Sequence, residues 1–566
     1  MLKNKKSDLE VALSLCRGAF IWAAVFSMVI NILQLVPTIY MLQVYDRVVP
    51  TGNKSTLVML TLILIVLFIT LGALEWVRSQ ILVRVSTRLE TLLNERLFQV
   101  SYKQSLYSGG QRASSQALDD LTALRQFMTG NGLFAFFDVP WIPVYIGVMF
   151  IFHPFFGWAA IATAILLVII AVIQEKTTAK KLGEANSLSI TGRNLVNKNL
   201  RNAEVIESMG MLKNIQKRWV EGTRQILVLQ AKASSNAGLV SGLSKLIRLS
   251  SQSLILALGA YLVIENEITG GLMLAGSILL GRALAPIDMM IGTWKGFIGA
   301  RGQYKRLNEI LIQIPADKET MSLPIPDGLF QVEAAVVVPP GAQVPVIKGI
   351  SLIISKGDSV GIIGASGAGK STFARALLGI WPTSNGKIRL DGADIFTWNR
   401  DELGPYIGYL PQDIELFEGT INENIARFDK VDPEKVVAAA KMADVHNLIL
   451  RLPQGYDTFI GANGGNLSGG QRQRIGLARA LYGDPVIVVL DEPNSNLDDQ
   501  GELALSHVIQ QLKQKKVTIV VITHRNNVLN FVDKLLILNE GLVTAYGPKE
   551  QVIEYIKQQQ MASAIN

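Results

Sequence analysis

A glycine-rich run between positions 364 and 372, GASGAGKST, ends in a lysine and two hydroxyl residues. The apolar run DSVGIIG leads into it and predicts a buried strand, and STFARALLGI predicts a helix after the lysine. Glycines in such a turn let several backbone N–H groups face one phosphate, and the positive end of the helix points at the same group. The pattern predicts a P-loop that binds a nucleotide through Gly364, Ser366, Gly367, Gly369, Lys370, Ser371 and Thr372. The Lys370 ammonium is expected at the β- and γ-phosphates, and the Ser371 hydroxyl at Mg²⁺.

An acidic pair, Asp491-Glu492, follows the apolar run PVIVVL at 485–490. The carboxyl end of a parallel strand lies over the ligand crevice of an α/β sheet, so both carboxylates are expected near the phosphates. An isolated Asp-Glu pair is common, but an apolar strand downstream of a P-loop makes it a Walker B motif. We expect Asp491 to hold Mg²⁺ through water, and Glu492 to orient and polarise the attacking water.

The residues LSGGQ at 467–471 precede QRQR and an apolar-periodic helix. Ser-Gly-Gly alone is typical of a flexible turn, but here the glycines lie at a predicted helix N-terminus, which attracts anions. This run, placed just before Asp491, resembles the signature of the ATP-binding cassette family. The resemblance implies that two cassettes close head to tail over two ATP molecules, each bound by one P-loop and the other cassette's signature. The signature residues assigned to ATP are Ser468, Gly469, Gly470 and Gln471.

Three further residues match motifs of that family. Gln412 in GYLPQD resembles the Q-loop, which implies a role at the metal and in catalysis. Asp498 in SNLD resembles the D-loop, and His524 in VVITHR resembles the switch histidine that contacts the γ-phosphate. A lone histidine is more often structural, so the assignment of His524 depends on its place after an apolar strand.

Two positions depart from the family pattern. An aromatic residue that stacks on adenine is expected upstream of the P-loop, where this chain has Val338 and Pro339. Related exporters often carry glutamates before the signature, where this chain has Phe459 and Ala462. How adenine is held, and how the cassette senses its partner's spans, are therefore open at this point.

The first 300 residues have a different composition, with long apolar runs. Hydrophobic residues make up 49% of the chain and charged residues 18%, and the mean hydropathy is +0.31. A membrane span needs about 20 mostly apolar residues. Six segments meet this requirement: 18–42, 56–76, 131–152, 155–174, 242–264 and 271–294. The second and fourth are too long and uninterrupted for buried helices of a soluble protein.

The positive charge lies beside these spans. Lysines and arginines crowd the long stretches after spans two and four, whereas the short connections near 153 and 265–271 have none. The positive-inside rule therefore places both chain ends and both long loops in the cytosol. The loops look helical, with contact turns expected at Gly109-Gly110 and around Glu204–Met211. The net charge of +8 is not one patch, so a nucleic-acid partner is disfavoured.

Some residues inside or beside the spans need a separate explanation. Arg282 and Asp288 lie in span six, where charges either face an aqueous path or pair structurally; the sequence leaves both alternatives open. The prolines at positions 37, 140, 143 and 286 can kink their helices. Cys16, the single cysteine, is expected to be a small packed residue near a helix start.

These patterns predict a membrane all-α domain followed by a soluble α/β P-loop nucleotide-binding domain. The membrane domain, at 1–310, has six transmembrane helices and long cytosolic extensions, as in type I/IV ABC exporters. A linker occupies 311–328, and the nucleotide-binding domain occupies 329–566. One cassette with six spans is half of a transporter, so a homodimer is the simplest assembly.

Longer segments narrow the resemblance. The runs at 43–57, 136–148 and 259–287 resemble type I secretion transporters, and DEPNSNLDDQGE resembles the protease and lipase exporters of the PrtD-type branch. This resemblance implies ATP-driven export of an unfolded protein with an uncleaved C-terminal signal across the bacterial inner membrane. It also implies a periplasmic membrane-fusion (adaptor) protein, an outer-membrane channel and contact with membrane lipid. A first span near residue 18 predicts neither a cleavable signal peptide nor an N-terminal peptidase domain.

Other functions remain as alternatives. A lipid or small-hydrophobic-compound exporter has the same architecture and predicts stimulation by such compounds without an adaptor. A cassette acting on DNA is disfavoured by the apolar spans, and a catalytically silent subunit by Glu492.

Overall fold

Long helices make up the first part of the chain, and strands with shorter helices make up the rest. The computed structural model describes residues 6–109, 115–316, 322–461, 467–495, 497 and 499–565. The chain divides into two units. The first unit is Met1–Ser105 with Arg112–Ala316, and the second unit is Leu106–Gln111 with Asp317–Asn566.

In its described residues the first unit consists of helices joined by short turns and contains no strand. Its helices are α1 (Asp8–Leu15), α2 (Arg17–Leu33), α3 (Val36–Gln43), α4 (Val49–Thr51), α5 (Lys54–Tyr107), α6 (Gln116–Thr129), α7 (Asn131–Asp138), α8 (Ile142–Phe152), α9 (Pro154–Leu200), α10 (Ala203–Ser208), α11 (Leu212–Ile264) and α12 (Gly270–Gln313). A π-helical segment, Val44–Val48, joins α3 to α4, and a 3₁₀ turn, Val139–Trp141, joins α7 to α8.

Six helical stretches in the described part of the chain are long and apolar enough to cross a membrane: Arg17–Thr51, Lys54–Tyr107, Asn131–Phe152, Pro154–Leu200, Leu212–Ile264 and Gly270–Gln313. Each contains one of the six segments expected from the sequence. The helix α5 has 54 residues, which at 1.5 Å per residue is about 80 Å and far exceeds a bilayer core of about 30 Å. The predicted helical extensions are therefore present.

The two expected contact turns coincide with helix breaks. The helix α5 ends at Tyr107, just before Gly109, whereas Gly110 lies outside the described residues. The short helix α10 separates α9 from α11. Whether either turn acts as a lever stays a prediction.

Prolines mostly begin helices in this unit rather than bend them. Pro37 and Pro143 lie in the first turns of α3 and α8, where the missing N–H has no intrahelical partner to lose. Pro140 lies in the 3₁₀ turn, and Pro286 lies inside the continuous helix α12.

Close helix packing in the first unit depends on glycine. Phe156 at the start of α9 is fully buried. A Cβ added to Gly276 on α12 would lie 2.6 Å from the Phe156 ring, and one added to Gly259 on α11 would lie 3.2 Å from it. Small residues let membrane helices approach one another where no hydrophobic effect drives them together. The ring therefore fits between α11 and α12 because both helices have glycine there.

The two charged residues of span six, Asp288 and Arg282, have different surroundings. Asp288 Oδ2 lies 3.3 Å from Arg248 Nε on α11, and Asp288 Oδ1 accepts a hydrogen bond from Ser244 Oγ at 2.9 Å. Asp288 thus pairs with another span, as one of the two alternatives predicts. Arg282 is exposed on the surface of the protomer.

A second polar cluster joins α2, α5, α7 and α8. Arg78 Nη1 donates to Asp138 Oδ1 at 3.0 Å and to Ser27 Oγ at 2.9 Å. Asn31 Nδ2 donates to the same Asp138 oxygen at 2.9 Å, and Tyr145 Oη donates to Asn31 Oδ1 at 2.9 Å. Buried polar groups persist in such a setting when their partners are present, so this cluster fixes the mutual position of four helices.

The helix α1 packs against α6 and against the parts of α5 and α12 that lie beyond their apolar segments. Leu9, Ala12 and Cys16 are buried in a cluster with residues of α5, α6 and α12. Cys16 is 2% exposed and lies between α1 and α2. The expectation that Cys16 is a small packed residue is confirmed.

The described residues of the second unit form three sheets. A four-stranded antiparallel sheet has the order β2-β1-β4-β5, and a six-stranded sheet has the order β12-β11-β3-β10-β9-β6. The strands are β1 (Phe330–Val337), β2 (Ile347–Ile354), β3 (Ser359–Ile363), β4 (Asn385–Leu390), β5 (Ala393–Asp394), β6 (Ile407–Leu410), β7 (Gly419–Thr420), β8 (Phe459–Ile460), β9 (Ile487–Asp491), β10 (Thr518–Ile522), β11 (Lys534–Asn539) and β12 (Leu542–Pro548), with β7 and β8 forming the third sheet.

Helices cover the six-stranded sheet. They are α13 (Lys370–Leu377), α14 (Arg400–Leu403), α15 (Ile421–Ile425), α16 (Pro433–Met442), α17 (His446–Leu450), α18 (Gly469–Leu481), α19 (Asp499–Gln514), α20 (Asn526–Leu529) and α21 (Lys549–Ile565). Ile487 and Val489 of β9 face one apolar core, and Val488 and Leu490 face the other. Burial on both faces explains why this strand is a continuous apolar run. The strands β6 and β10 pair with β9 in parallel, so the residues that follow these three strands lie at the same edge of the sheet.

Candidate active site

The loop between β3 and α13 has the backbone that the glycine-rich run predicts. A Cβ at Gly364 would lie 2.2 Å from the Leu538 carbonyl oxygen, so only glycine fits between the loop and β11. Gly369, the residue before α13, has a φ of 97°, which L side chains rarely adopt. Ala365, Ser366 and Gly367 are exposed at the turn. The loop therefore presents its backbone outward at the amino end of α13.

Lys370 lies inside this loop and is 7% exposed. Its Nζ donates hydrogen bonds to the carbonyl oxygens of Gly364 at 2.8 Å and Ala365 at 3.0 Å. Burial lowers the pKa of Lys370, and the nearby carboxylates of Glu492 and Asp491 act in the opposite direction. The ammonium is thus held within the turn of the loop, close to two acidic residues.

Asp491 ends β9 and is fully buried. Its Oδ1 accepts a hydrogen bond from Ser371 Oγ at 3.2 Å, whereas its buried Oδ2 has no hydrogen-bond partner among the described residues. Burial raises the pKa of Asp491, against the effects of the Ser371 bond and of Arg375. A carboxylate and a hydroxyl side by side, with one carboxylate oxygen unpartnered, fit the ligand chemistry of Mg²⁺. These residues therefore fit the predicted metal.

Glu492 follows directly and connects two other predicted site residues. Its Oε2 accepts a hydrogen bond from Gln412 Nε2 at 2.9 Å, and its Oε1 lies 3.9 Å from His524 Nε2. Glu492 has a φ of 50°, and its backbone N–H donates to the Ile522 carbonyl at 2.9 Å. Non-glycine residues rarely adopt a left-handed backbone conformation, and those that do are concentrated at functional sites. The local backbone aims the Glu492 carboxylate at the ends of β6 and β10.

The signature residues begin α18. Ser468 Oγ accepts from the Gln471 N–H at 3.3 Å, and Gln471 Oε1 accepts from the Ser468 N–H at 2.9 Å. This capping box satisfies two helix-terminal N–H groups and fixes the first turn, where Gly469 and Gly470 lie. These hydrogen bonds of Ser468 and Gln471 do not reach Lys370. The structure thus brings Lys370, Ser371, Asp491, Glu492, Gln412 and His524 together, whereas the capping-box hydrogen bonds of Ser468 and Gln471 stay within the first turn of α18.

Some predicted positions have a different outcome. Asp498 lies outside the described residues, as does Ala462. Phe459, which departs from the family pattern, is 60% exposed in β8. Val338 and Pro339 follow β1, and the way in which adenine is held stays open. The predicted helix after the P-loop is shorter than expected and ends at Leu377.

Three residues near the site were not singled out from the sequence. Arg375 lies one helical turn after Ser371, and this i to i+4 spacing could have placed it near Asp491. Asn494 accepts a hydrogen bond from Thr523 Oγ1 at 3.2 Å. Glu502 is 7% exposed and bonds Arg525 and Asn527. The bonds of Glu502 depend on how α19 packs, so the local sequence does not predict them.

Comparisons with known proteins match both units. A family model described as ABC transporter matches residues 347–495, and one described as ABC transporter transmembrane region matches residues 20–284. The type I secretion system ATP-binding protein PrsD of Rhizobium meliloti (strain 1021) is 43% identical over 569 aligned residues, which cover 100% of this chain and 97% of PrsD. The chain belongs to the ABC transporter family.

More distant proteins share parts of this similarity. The leukotoxin export ATP-binding protein LtxB of Aggregatibacter actinomycetemcomitans is 27% identical, with 95% of this transporter and 77% of LtxB aligned. A solved structure described as a bacterial Atm1-family ABC exporter with ATP bound matches with a TM-score of 0.82 and 23% identity. The match covers 96% of this transporter and 97% of that chain, and shows the fold. The predicted fold class, a six-helix membrane domain followed by a P-loop cassette, is confirmed, and the transporter binds nucleotide as an ATPase of this family.

Proposed function

We propose that this transporter energises a type I secretion system by hydrolysing ATP and exporting a protein across the bacterial inner membrane. The observation that carries the proposal is the full-length identity of 43% with a type I secretion ATP-binding protein. The six apolar helices support a multi-pass position in the membrane. The positive-inside asymmetry of the sequence places the cassette in the cytosol.

The cargo and partners are the finer part of the proposal. The cargo is an unfolded protein with an uncleaved C-terminal signal, as the resemblance to the PrtD-type branch implies. A periplasmic membrane-fusion (adaptor) protein and an outer-membrane channel complete the path, and lipid surrounds the spans. The functional unit is a homodimer, with domains at 1–310 and 329–566 joined by a linker.

The chain's own residues suggest how ATP is bound and cleaved. The P-loop amides and Lys370 bind the phosphates, and Ser371 and Asp491, with Gln412, hold Mg²⁺, which neutralises charge on the phosphates when bound. Glu492 accepts a hydrogen bond from the attacking water and orients it, and His524 donates to the γ-phosphate. The hydrogen bond between Gln412 and Glu492 supports the role of Glu492, because it holds the Glu492 carboxylate beside the residues that follow β6.

Closure of the dimer couples this chemistry to transport. Ser468, Gly469, Gly470 and Gln471 bind the γ-phosphate held by the partner, and the resemblance to the D-loop assigns Asp498 to ATP as well. ATP favours the closed dimer because only that state makes both sets of contacts. Loss of the γ-phosphate removes the contact with the signature and lets the cassettes separate.

The test is the ATPase rate of the purified transporter in nanodiscs, with C-terminal fragments of candidate secreted proteins added separately from lipids and small hydrophobic compounds. A rate change caused by a C-terminal fragment, and absent in Glu492→Gln, supports protein export. A response to lipids or small compounds alone would instead identify the lipid or small-hydrophobic-compound exporter. A scrambled fragment of the same composition controls for nonspecific binding.

A further inference from the structure

The segment that carries His524 lies between two buried polar contacts. On the side before the histidine, Thr523 is fully buried and Asn494 is 4% exposed. Thr523 Oγ1 donates to Asn494 Oδ1 at 3.2 Å, and the same hydroxyl accepts from the Arg525 N–H at 3.1 Å. Asn494 comes two residues after Glu492, so this contact ties the histidine segment to the Walker B end.

On the side after the histidine, Glu502 of α19 makes the second contact. Its Oε1 accepts from Arg525 Nη1, and its Oε2 accepts from Asn527 Nδ2 at 3.2 Å. Both oxygens of one carboxylate therefore hold the three-residue stretch that directly follows His524. The side chain of Glu502 is 8% exposed, whereas that of Arg525 is 52% exposed.

His524 itself has little to fix it. Its side chain is 50% exposed, and Nε2 lies 3.9 Å from Glu492 Oε1, which is beyond hydrogen-bond distance. In the part of the chain that the structure describes, the ring makes no hydrogen bond. The place of the imidazole is thus set by its backbone, which Thr523 and Arg525 anchor on either side.

A buried carboxylate is a costly way to stabilise a helix. Taking a carboxylate out of water carries a desolvation penalty, and an apolar residue of similar volume often stabilises as well. The bidentate use of Glu502 does something that an apolar residue could not do, because it fixes one loop in one geometry. Catalytic groups lose rate steeply when they are displaced by about 1 Å.

We infer that Glu502 is a positioning residue for ATP hydrolysis, which holds residues 525–527 so that His524 stays beside Glu492. The inference rests on the role proposed above for His524. Glu502 acts through the loop and touches neither nucleotide nor metal. Its loss is therefore expected to slow turnover without weakening ATP binding.

The experiment compares kcat and KM for ATP in full-length Glu502→Gln, His524→Ala and the double variant, all in nanodiscs. Glutamine keeps the size of the side chain and loses the charge that pairs with Arg525. We expect Glu502→Gln to lower kcat about tenfold with KM unchanged. In the His524→Ala background the same change should have no further effect, because both act through one group. Glu434→Gln, on an exposed part of α16, is the matched control and should match the wild type.

Each other result counts against the inference in a distinct way. If His524→Ala is slow and Glu502→Gln matches the control, the positioning role is wrong and the role of His524 survives. If Glu502→Gln adds its full effect to His524→Ala, or raises KM, Glu502 is merely structural. If His524→Ala hydrolyses at the normal rate, the proposed role of His524 fails and this inference fails with it.

A second variant guards against misfolding. Asn527→Ala removes one of the two donors to Glu502 and leaves the buried carboxylate with Arg525. It should lower kcat in the same direction by a smaller factor, with an unchanged melting temperature. An Asn527→Ala protein with normal kcat, alongside a Glu502→Gln protein that melts early, would overturn the positioning role.

Discussion

At the scale of single residues, the site combines two buried charged groups with exposed ones. Lys370 and Asp491 are nearly or fully buried, whereas Gln412 and His524 reach solvent. Burial excludes water from the phosphate and metal contacts, which strengthens them. Gln412 and His524 lie at the exposed side of the site, apart from the buried phosphate and metal contacts, so binding and hydrolysis should separate by mutation.

Replacing Glu492 by glutamine should abolish turnover and retain ATP binding. The amide keeps the hydrogen bond to Gln412 but is a poor acceptor for the proton of the attacking water, so kcat should fall about 100-fold or more. Measurements of ATP affinity and of phosphate release would separate the two effects. A variant that hydrolyses at the wild-type rate would contradict the role assigned to Glu492.

Replacing Lys370 by alanine should instead act on the ATP-binding step. The loss of a charged donor at the phosphates is expected to weaken ATP binding about 10- to 100-fold, since hydrogen bonds to charged groups are worth about 1.5–3 kcal/mol. Lys387→Ala, on an exposed part of β4, is the control. Equal affinities of the two variants in a fluorescent-nucleotide titration would rule out the phosphate role.

At the scale of helices and strands, charged pairs of the first unit hold neighbouring elements in place. Asp120 on α6 is 3% exposed and accepts from Arg306 of α12 at 2.8 and 2.7 Å. The pair is bidentate, which adds geometric specificity to the attraction.

Replacing Arg306 by methionine should therefore destabilise the first unit. It leaves a buried carboxylate without its cation, at a cost of about 1–3 kcal/mol once the partial exposure of Arg306 is considered. The pair of Arg301, also on α12, and Glu175 of α9 serves as the comparison, because the Arg301 side chain is 72% exposed and its Nη1 lies 3.6 Å from Glu175 Oε1. Thermal unfolding in nanodiscs should show a lower midpoint for Arg306→Met than for Arg301→Met, and equal midpoints would contradict the expectation.

Local patterns predict elements better than they predict contacts between elements. The six spans and the P-loop strand follow from periodicity and spacing over a few residues, so they were predictable. Asp288 was identified as a charge in span six, but its partner, Arg248, lies on another helix and depends on how α11 and α12 pack. Glu502 ends the run DEPNSNLDDQGE, but that run does not show which side chains the carboxylate contacts. The left-handed backbone of Glu492 likewise depends on the sheet around it.

At the scale of the whole transporter, the proposed assembly makes each ATP site from two chains. In a head-to-tail dimer, Lys370 and Glu492 of one protomer share a nucleotide with Ser468 of the other. Defects in the two halves of a site are therefore expected to complement when protomers are mixed, whereas two defects in the same half are not.

Mixing Lys370→Ala and Ser468→Arg protomers tests this arrangement. Each variant alone should be inactive, and the mixture should recover about a quarter of the wild-type rate, because half of the dimers are mixed and each has one intact site. A mixture of Lys370→Ala with Glu492→Gln is the control, since neither site of that heterodimer is intact. Recovery in the control, or none in the test mixture, would exclude the composite site.

The buried Cys16 makes the native chain a ready background for chemical labelling. It is the single cysteine, and burial raises the pKa of its thiol, so little thiolate is available to a maleimide. A cysteine introduced on the surface would react far faster, and pairs of spectroscopic labels could report distances in the working transporter without removal of the native residue. Labelling of Cys16 would then require α1 to undock, so the rate of Cys16 labelling would report how often that helix opens.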